Sequence, residues 1–157
     1  MLQRTVPTIR ELLSYRLHQV ANLLSRGAEM RYRRQFSVSL WEWRTVALLG
    51  GAGEPQSLNE LARAAGMDKG QMSRVVSGLT GRKIICRETD ANDARGIRLS
   101  LTRSGTALYR KLIGAAAERN SAFLGCLSAK ERECLEQAMT KLAREARSFI
   151  LKEKQAR

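Results

Sequence analysis

A mainly α-helical fold, with a long helix at each end and one small two-stranded β element, is predicted by three patterns in the sequence. Apolar residues recur at helical spacing through the opening segment, from Ile9 to Leu24, and through the closing one, from Leu135 to Ile150. Between them, SLNELARAAGMDKGQMSRVVSGLTGRK reads as two short helices broken at Ala65-Gly66, the pattern of helices joined by a tight turn. After it, IICRETDANDARGIRLSLT alternates apolar and polar residues on both sides of a polar turn, as a hairpin does.

Composition narrows the function. The chain has 157 residues, the length of one domain with extensions, and carries a formal charge of +13 from 28 Lys+Arg and 15 Asp+Glu. Such an excess attracts polyanions, nucleic acid first and anionic membrane second. No apolar run approaches the ~20 residues that span a bilayer, and MLQRTVPTIRELL lacks the apolar core of a signal peptide. The expectation is a cytoplasmic protein without a membrane partner. Cys86, Cys126 and Cys134 form no CxxC pair and read as reduced thiols. His18 is the one histidine, which leaves neither a structural zinc site nor a histidine-based triad. With no Gly-rich phosphate loop and no paired carboxylates in a pocket pattern, no catalytic residue, metal or cofactor is expected, and the chain is read as a non-enzyme.

The elements follow in order. The first helix starts at PTIRE, where Thr8 caps and Glu11 returns the bond; Ile9, Leu13, Leu17, Val20 and Leu24 form its buried stripe, and it runs to about Arg34. LWEWRTVALLG gives a second, compact helix with Trp43, Val46, Ala47 and Leu49 on its buried side, ended by the turn chemistry of GGAGEPQ. In the next helix pair Leu58, Leu61, Ala62, Met67, Val75 and Leu79 are placed to pack together, and Asp68 is an N-cap with Gln71 at capping-box spacing. In the hairpin Ile97, Leu99 and Leu101 face one way, Arg98 and Ser100 the other; behind a helix-turn-helix such a hairpin is a wing. Thr102 caps the fifth helix, and SAKE, Ser128 to Glu131, is a capping box for the last. The stripe of that last helix, Leu135, Met139, Leu142, Ala146, Phe149 and Ile150, needs a partner surface.

Three of these segments, WEWRTVALLG, LNELARAAGMDKGQMSRVVSGLTGRKII and RETDANDARGIRLSLTRSG, carry a resemblance. The chain resembles the multiple antibiotic resistance regulator (MarR) family of winged helix-turn-helix transcription factors over essentially its whole length. The wing is the most specific part, with Asp90, Asp93 and Arg95 followed by Leu101-Thr102-x-x-Gly105. It also departs from the family pattern. Ala91 stands where a proline is frequent, Ala94 leaves Arg95 as the single arginine at the tip, and Lys83 replaces a common glycine. The resemblance implies one MarR-type domain over 1–157, with dimerisation helices at 1–39 and 103–157 around a DNA-binding lobe at 40–102. It implies a homodimer on double-stranded DNA carrying an inverted repeat, acting as a repressor and released by a small aromatic carboxylate effector.

The residues give that reading its chemistry. A recognition helix enters the major groove by its first turn, where Lys or Arg pairs with guanine, Gln with adenine, and hydroxyls with bases or phosphate. Lys69, Gln71, Ser73 and Arg74 fit those roles, although Ser73 is also placed to bond its own backbone. Gly70 suits a position where a side chain would collide with the sugar-phosphate backbone. Arg95 is the candidate for a narrow minor groove. Arg87 and Arg98 are candidates for phosphate, with solvated strand charges as the alternative. For the effector, Tyr15, Arg16 and His18 of the first helix and Trp41 and Trp43 of the second are the candidate lining. Arg16 would be the bidentate donor to a carboxylate; the alternative is that the tryptophans are core and Arg16 pairs with Glu11 or Glu42. Two other functions stay open, an architectural DNA-binding protein without ligand response and a redox-sensing regulator using a cysteine.

Overall fold

Thr8 and Glu11 do form a capping pair, with the Thr8 N–H donating to the Glu11 carboxylate at 2.7 Å. What they close is a single 3-10 turn, Ile9–Glu11, because the backbone becomes extended at Leu12. The first α-helix, α1, therefore runs Leu13–Phe36, later at both ends than the sequence suggests. It stops at Ser37, which takes a left-handed φ of 53° and donates its N–H to the Arg33 carbonyl at 3.1 Å. The structure, a computed structural model, describes residues 6–89 and 96–156.

Capping also sets the later helix starts. Ser39 begins α2 (Leu40–Ala52) and Ser57 begins α3 (Leu58–Ala65), each answered by a glutamate at the third helical position, Glu42 and Glu60. Asp68 caps α4 (Lys69–Gly81) by accepting the Gln71 N–H at 2.9 Å. Thr102 caps α5 (Arg103–Leu124) by accepting the Gly105 N–H at 3.0 Å, and the Ser128–Glu131 box opens α6 (Ala129–Gln155). These groups satisfy backbone donors that a helix cannot pair internally. They act back on the acids: hydrogen bonds from Ser57 hold the Glu60 carboxyl below its ordinary value, and those from Ser128 do the same for Glu131.

The sheet has one strand more than the sequence suggests. Strands β2 (Ile85–Thr89) and β3 (Ile97–Leu101) pair antiparallel in the register Ile85↔Leu101 to Thr89↔Ile97. A third strand, β1 (Gln56–Ser57), adds to the other edge of β3, so the order is β1-β3-β2. Two residues are too few to show a period in a sequence. Of the apolar face read for β3, Leu99 is buried and Leu101 half-buried, while Ile97 is exposed.

The chain divides after Gly114 into two compact units. The first holds α1 to α4, the sheet and the first half of α5, around a core of Tyr32, Val38, Val46, Leu61, Met72, Val76, Leu79, Ile85, Leu99 and Leu112. Leu58, Met67, Val75 and Ala47, expected in that core, are half-buried at its margin. The larger correction concerns α1. Its predicted buried stripe is exposed in the single chain, from 41% at Leu24 to 65% at Ile9, and only Ala28 and Tyr32 of the helix are buried. The second unit contains α6, where Leu135, Met139, Leu142, Ala146, Phe149 and Ile150 are all exposed. Among the described residues no helix is long and apolar enough to cross a membrane.

One position of the sheet entry is strained. Lys83, just before β2, has φ of 58°, in the left-handed region that costs a residue with a Cβ roughly 1–2 kcal/mol. Lys83→Gly removes that cost and returns part of it as chain entropy in the unfolded state. The expected result is a net stabilisation of about 0.5–1 kcal/mol in urea melts; a loss of stability would mean that the lysine side chain contributes something the backbone argument leaves out.

Candidate nucleic-acid interface

The turn between α3 and α4 is tight because Gly66 ends α3 with φ of 64°, a conformation glycine adopts without penalty. The Met67 N–H then closes onto the Ala62 carbonyl at 2.9 Å, and Asp68 starts α4 at once. Met72, Val76 and Leu79 bury one face of α4, which packs on α2 and α3. The Thr45 hydroxyl of α2, itself buried, lies 3.6 Å from the Met72 sulfur.

That packing decides what the opposite face presents. Lys69, Gln71 and Arg74 are exposed together at the first turns of α4, and Ser73 beside them is half-buried. Among the described residues neither Lys69 nor Arg74 has a carboxylate partner. Gly70 has one close neighbour in the fold, the Asp68 oxygen that caps α4. A Cβ built there would meet only the Asp68 carboxylate, at 3.2 Å.

The two strand arginines are placed differently. Arg87 is exposed on β2 and donates to the Ser77 hydroxyl at 3.0 Å, so its guanidinium lies beside α4. With Leu58, Ser73, Val76, Ile97 and Leu99 it lines a cleft of about 210 Å³. Arg98 instead pairs with Glu60 of α3 at 3.1 Å and reaches the Pro55 carbonyl at 3.4 Å. Arg95 lies outside the described residues, as do Asp90 and Asp93.

The five residues read as an effector lining divide between core and surface. Trp43 is buried, its ring centroid 5.1 Å from that of Tyr32, while Trp41 is partly exposed with the Arg44 guanidinium 4.7 Å over its ring. The hollow of about 340 Å³ that Trp43 lines is completed by Arg44, Ala47, Leu48, Ala64 and Ala65, with no α1 residue in its wall. Tyr15 is half-buried, Arg16 and His18 are exposed, and the His18 ring meets the Asn22 amide at 2.9 Å. Glu42, one partner considered for Arg16, pairs with Arg82 at 2.9 Å instead.

The cysteines are free thiols. Cys86 is half-buried on β2 with its sulfur 2.9 Å from the Ser100 hydroxyl, and Cys126 and Cys134 are exposed. Arg82, Ser77 and Glu60, and the role of Glu42 as a partner of Arg82, enter the picture from the structure alone. The Ser-x-x-Glu spacings SLWE and SLNE were the available signal for the two glutamates, but only as helix starts.

Comparison with known proteins adds to this geometry. A sequence model of the MarR family matches residues 36–96. The HTH-type transcriptional repressor NicR of Pseudomonas putida is 32% identical over 78 residues, 50% of this chain and 49% of NicR, so the match spans about half the length of that relative. The crystal structure of a MarR/EmrR family transcriptional regulator from Acinetobacter sp. ADP1 superposes with a TM-score of 0.82 at 25% identity, covering 90% of this chain and 99% of that one. The DNA complex of S. aureus MepR gives 0.75 at 24% identity, covering 85% and 98%, and speaks for the fold. The matched relative and the superposed Acinetobacter structure are both named as transcriptional regulators. The capped helix α4, the three-stranded sheet and the likeness over nine-tenths of the chain agree: residues 36–96 match the MarR family model, and the chain has the fold of a MarR/EmrR family regulator.

Proposed function

We propose that the chain is a cytoplasmic, homodimeric, sequence-specific repressor that binds double-stranded DNA at an inverted repeat and is released by a small aromatic carboxylate. The observation that carries the DNA reading is the first face of α4, where Lys69, Gln71 and Arg74 stand exposed while Met72, Val76 and Leu79 hold the helix in the core. Those are base-reading residue types at the end of a helix that enters a major groove. The net charge of +13 supplies the salt-dependent, sequence-independent part of the affinity. MepR, a structural neighbour, was solved with DNA, and NicR is named a repressor.

The dimer reading is supported by the apolar stripes that α1 and α6 each leave exposed, since contiguous exposed apolar surface marks an interaction site. It makes 1–39 and 103–157 dimerisation segments around a lobe at 40–102. Arg95 is assigned to the minor groove and Arg87 to phosphate. Release by a carboxylate keeps Arg16 as the donor, supported by its exposure and by the engagement of Glu42 elsewhere.

Arg74→Ala tests the central claim. It removes a groove contact, so affinity for the preferred duplex falls by about 1–3 kcal/mol, roughly 5- to 150-fold, and sequence preference relaxes. Selection from a random duplex pool followed by mobility shift measures both. Wild-type affinity and preference in the variant would remove Arg74 from the interface.

A further inference from the structure

Two of the capping-box glutamates hold more than their own helix. Glu42 accepts the Ser39 N–H with Oε2 at 2.7 Å, and its Oε1 accepts from Arg82, the residue that ends α4, at 2.9 Å. Glu60 accepts the Ser57 N–H with Oε2 at 2.7 Å, and that oxygen also takes the Arg98 guanidinium of β3 at 3.1 Å. Glu131 closes the same kind of box at α6, and the groups holding its carboxyl down are those of Ser128 alone. The arginines anchored in this way come from the end of the recognition helix and from the wing strand, the two elements the proposed function assigns to DNA.

An exposed ion pair contributes little when both side chains must be ordered to form it. Here the carboxylate is already fixed by a backbone N–H, so the guanidinium meets an acceptor whose rotamer freedom is spent on the cap. Arg98 is fixed a second time by the Pro55 carbonyl at 3.4 Å. Turning it toward a phosphate would break both contacts and leave the Glu60 carboxylate facing the DNA backbone, a like-charge arrangement.

We propose that Glu60 and Arg98 are positioning residues that lock the wing strand to the helix-turn-helix, and that Arg98 serves DNA recognition by holding the wing and not by touching phosphate. Glu42 and Arg82 do the same for the far end of α4. The inference rests on the DNA-binding reading above.

Salt dependence separates the two roles. Each phosphate contact contributes about 0.9 to the slope of log K against log salt, whereas a positioning residue contributes none. The full-length chain, its Arg98→Gln and Glu60→Gln variants and the double variant are titrated, over a series of salt concentrations, with the duplex that the wild type selects. Glutamine at position 60 preserves the capping box, so this variant removes the ion pair and keeps the helix start. The expected result is a similar loss of affinity in all three variants, on the order of 5-fold, with the wild-type salt slope and unchanged melting of α3. A slope lower by about 0.9 in Arg98→Gln, together with tighter binding by Glu60→Gln, would assign Arg98 to phosphate and overturn the proposal. So would wild-type affinity in both single variants, or additive losses in the double. Amide exchange of Ile97–Leu101 without DNA reads the pair directly: the positioning role requires equal loss of protection in the two single variants. If the wild type selects no duplex, the DNA reading fails; equal loss of protection would still support the lock, and unchanged protection would overturn it.

Discussion

Gly105→Ala is expected to destabilise the first unit by about 3 kcal/mol, at the upper end of what overpacking a core position usually costs. A Cβ at Gly105 would fall far inside contact distance of the Ile84 carbonyl oxygen and 3.3 Å from Leu101 Cβ. The carbonyl cannot move aside, because it accepts the Thr102 N–H at 3.0 Å and lies next to the Lys83 carbonyl, which takes the Thr102 and Ser104 hydroxyls at 2.7 and 2.8 Å. The first turn of α5 is therefore docked on the entry to β2 through backbone. Gly78→Ala is the comparison: nothing lies within 4 Å of its added Cβ, and in mid-helix alanine should gain up to about 1 kcal/mol. Urea melts followed by circular dichroism read both. A Gly105→Ala midpoint within error of wild type would show that this turn yields and that the docking is not fixed.

The same residues show what a sequence can and cannot disclose. The Leu101-Thr102-x-x-Gly105 spacing is legible as a resemblance, and its cause is a contact with Ile84, which lies outside the spacing. Capping residues and the i, i+4, i+7 stripe of Met72, Val76 and Leu79 are local, so α4 and its exposed face were readable directly. Arg98 was not. Its partner Glu60 is 38 residues away, and no local pattern distinguishes an arginine held by a carboxylate from one left for a phosphate. The break at Leu12 was hidden because Thr8 and Glu11 satisfy a 3-10 turn as well as a helix start. The stripe of α1 was legible as apolar, yet periodicity does not state whether the covering surface belongs to the same chain. Trp43 was legible both as a buried residue of the second helix and as a candidate lining; it is buried beside Tyr32 and also borders a hollow, and no local pattern separates those roles.

Tyr32→Ala is the second large effect, about 3–5 kcal/mol, the range for deleting a buried aromatic ring. Tyr32 is fully buried, its ring 5.1 Å from Trp43 of α2 and 6.3 Å from Phe36 in its own last turn. With Ala28 it is all that α1 buries, so this ring is the main apolar anchor between α1 and α2. Tyr32→Phe retains the ring pair and should lose only on the order of 1 kcal/mol with the hydroxyl. In the proposed dimer α1 also sets the distance between two recognition helices, and an α1 released at its C-terminal end no longer fixes that distance. The alanine variant, at temperatures where circular dichroism shows it folded, should then lose more affinity for the full inverted repeat than for a single half-site. Equal losses on both duplexes would mean that α1 does not transmit spacing. A stability change below about 1 kcal/mol would mean that α1 is held to the lobe by contacts other than the Tyr32–Trp43 pair.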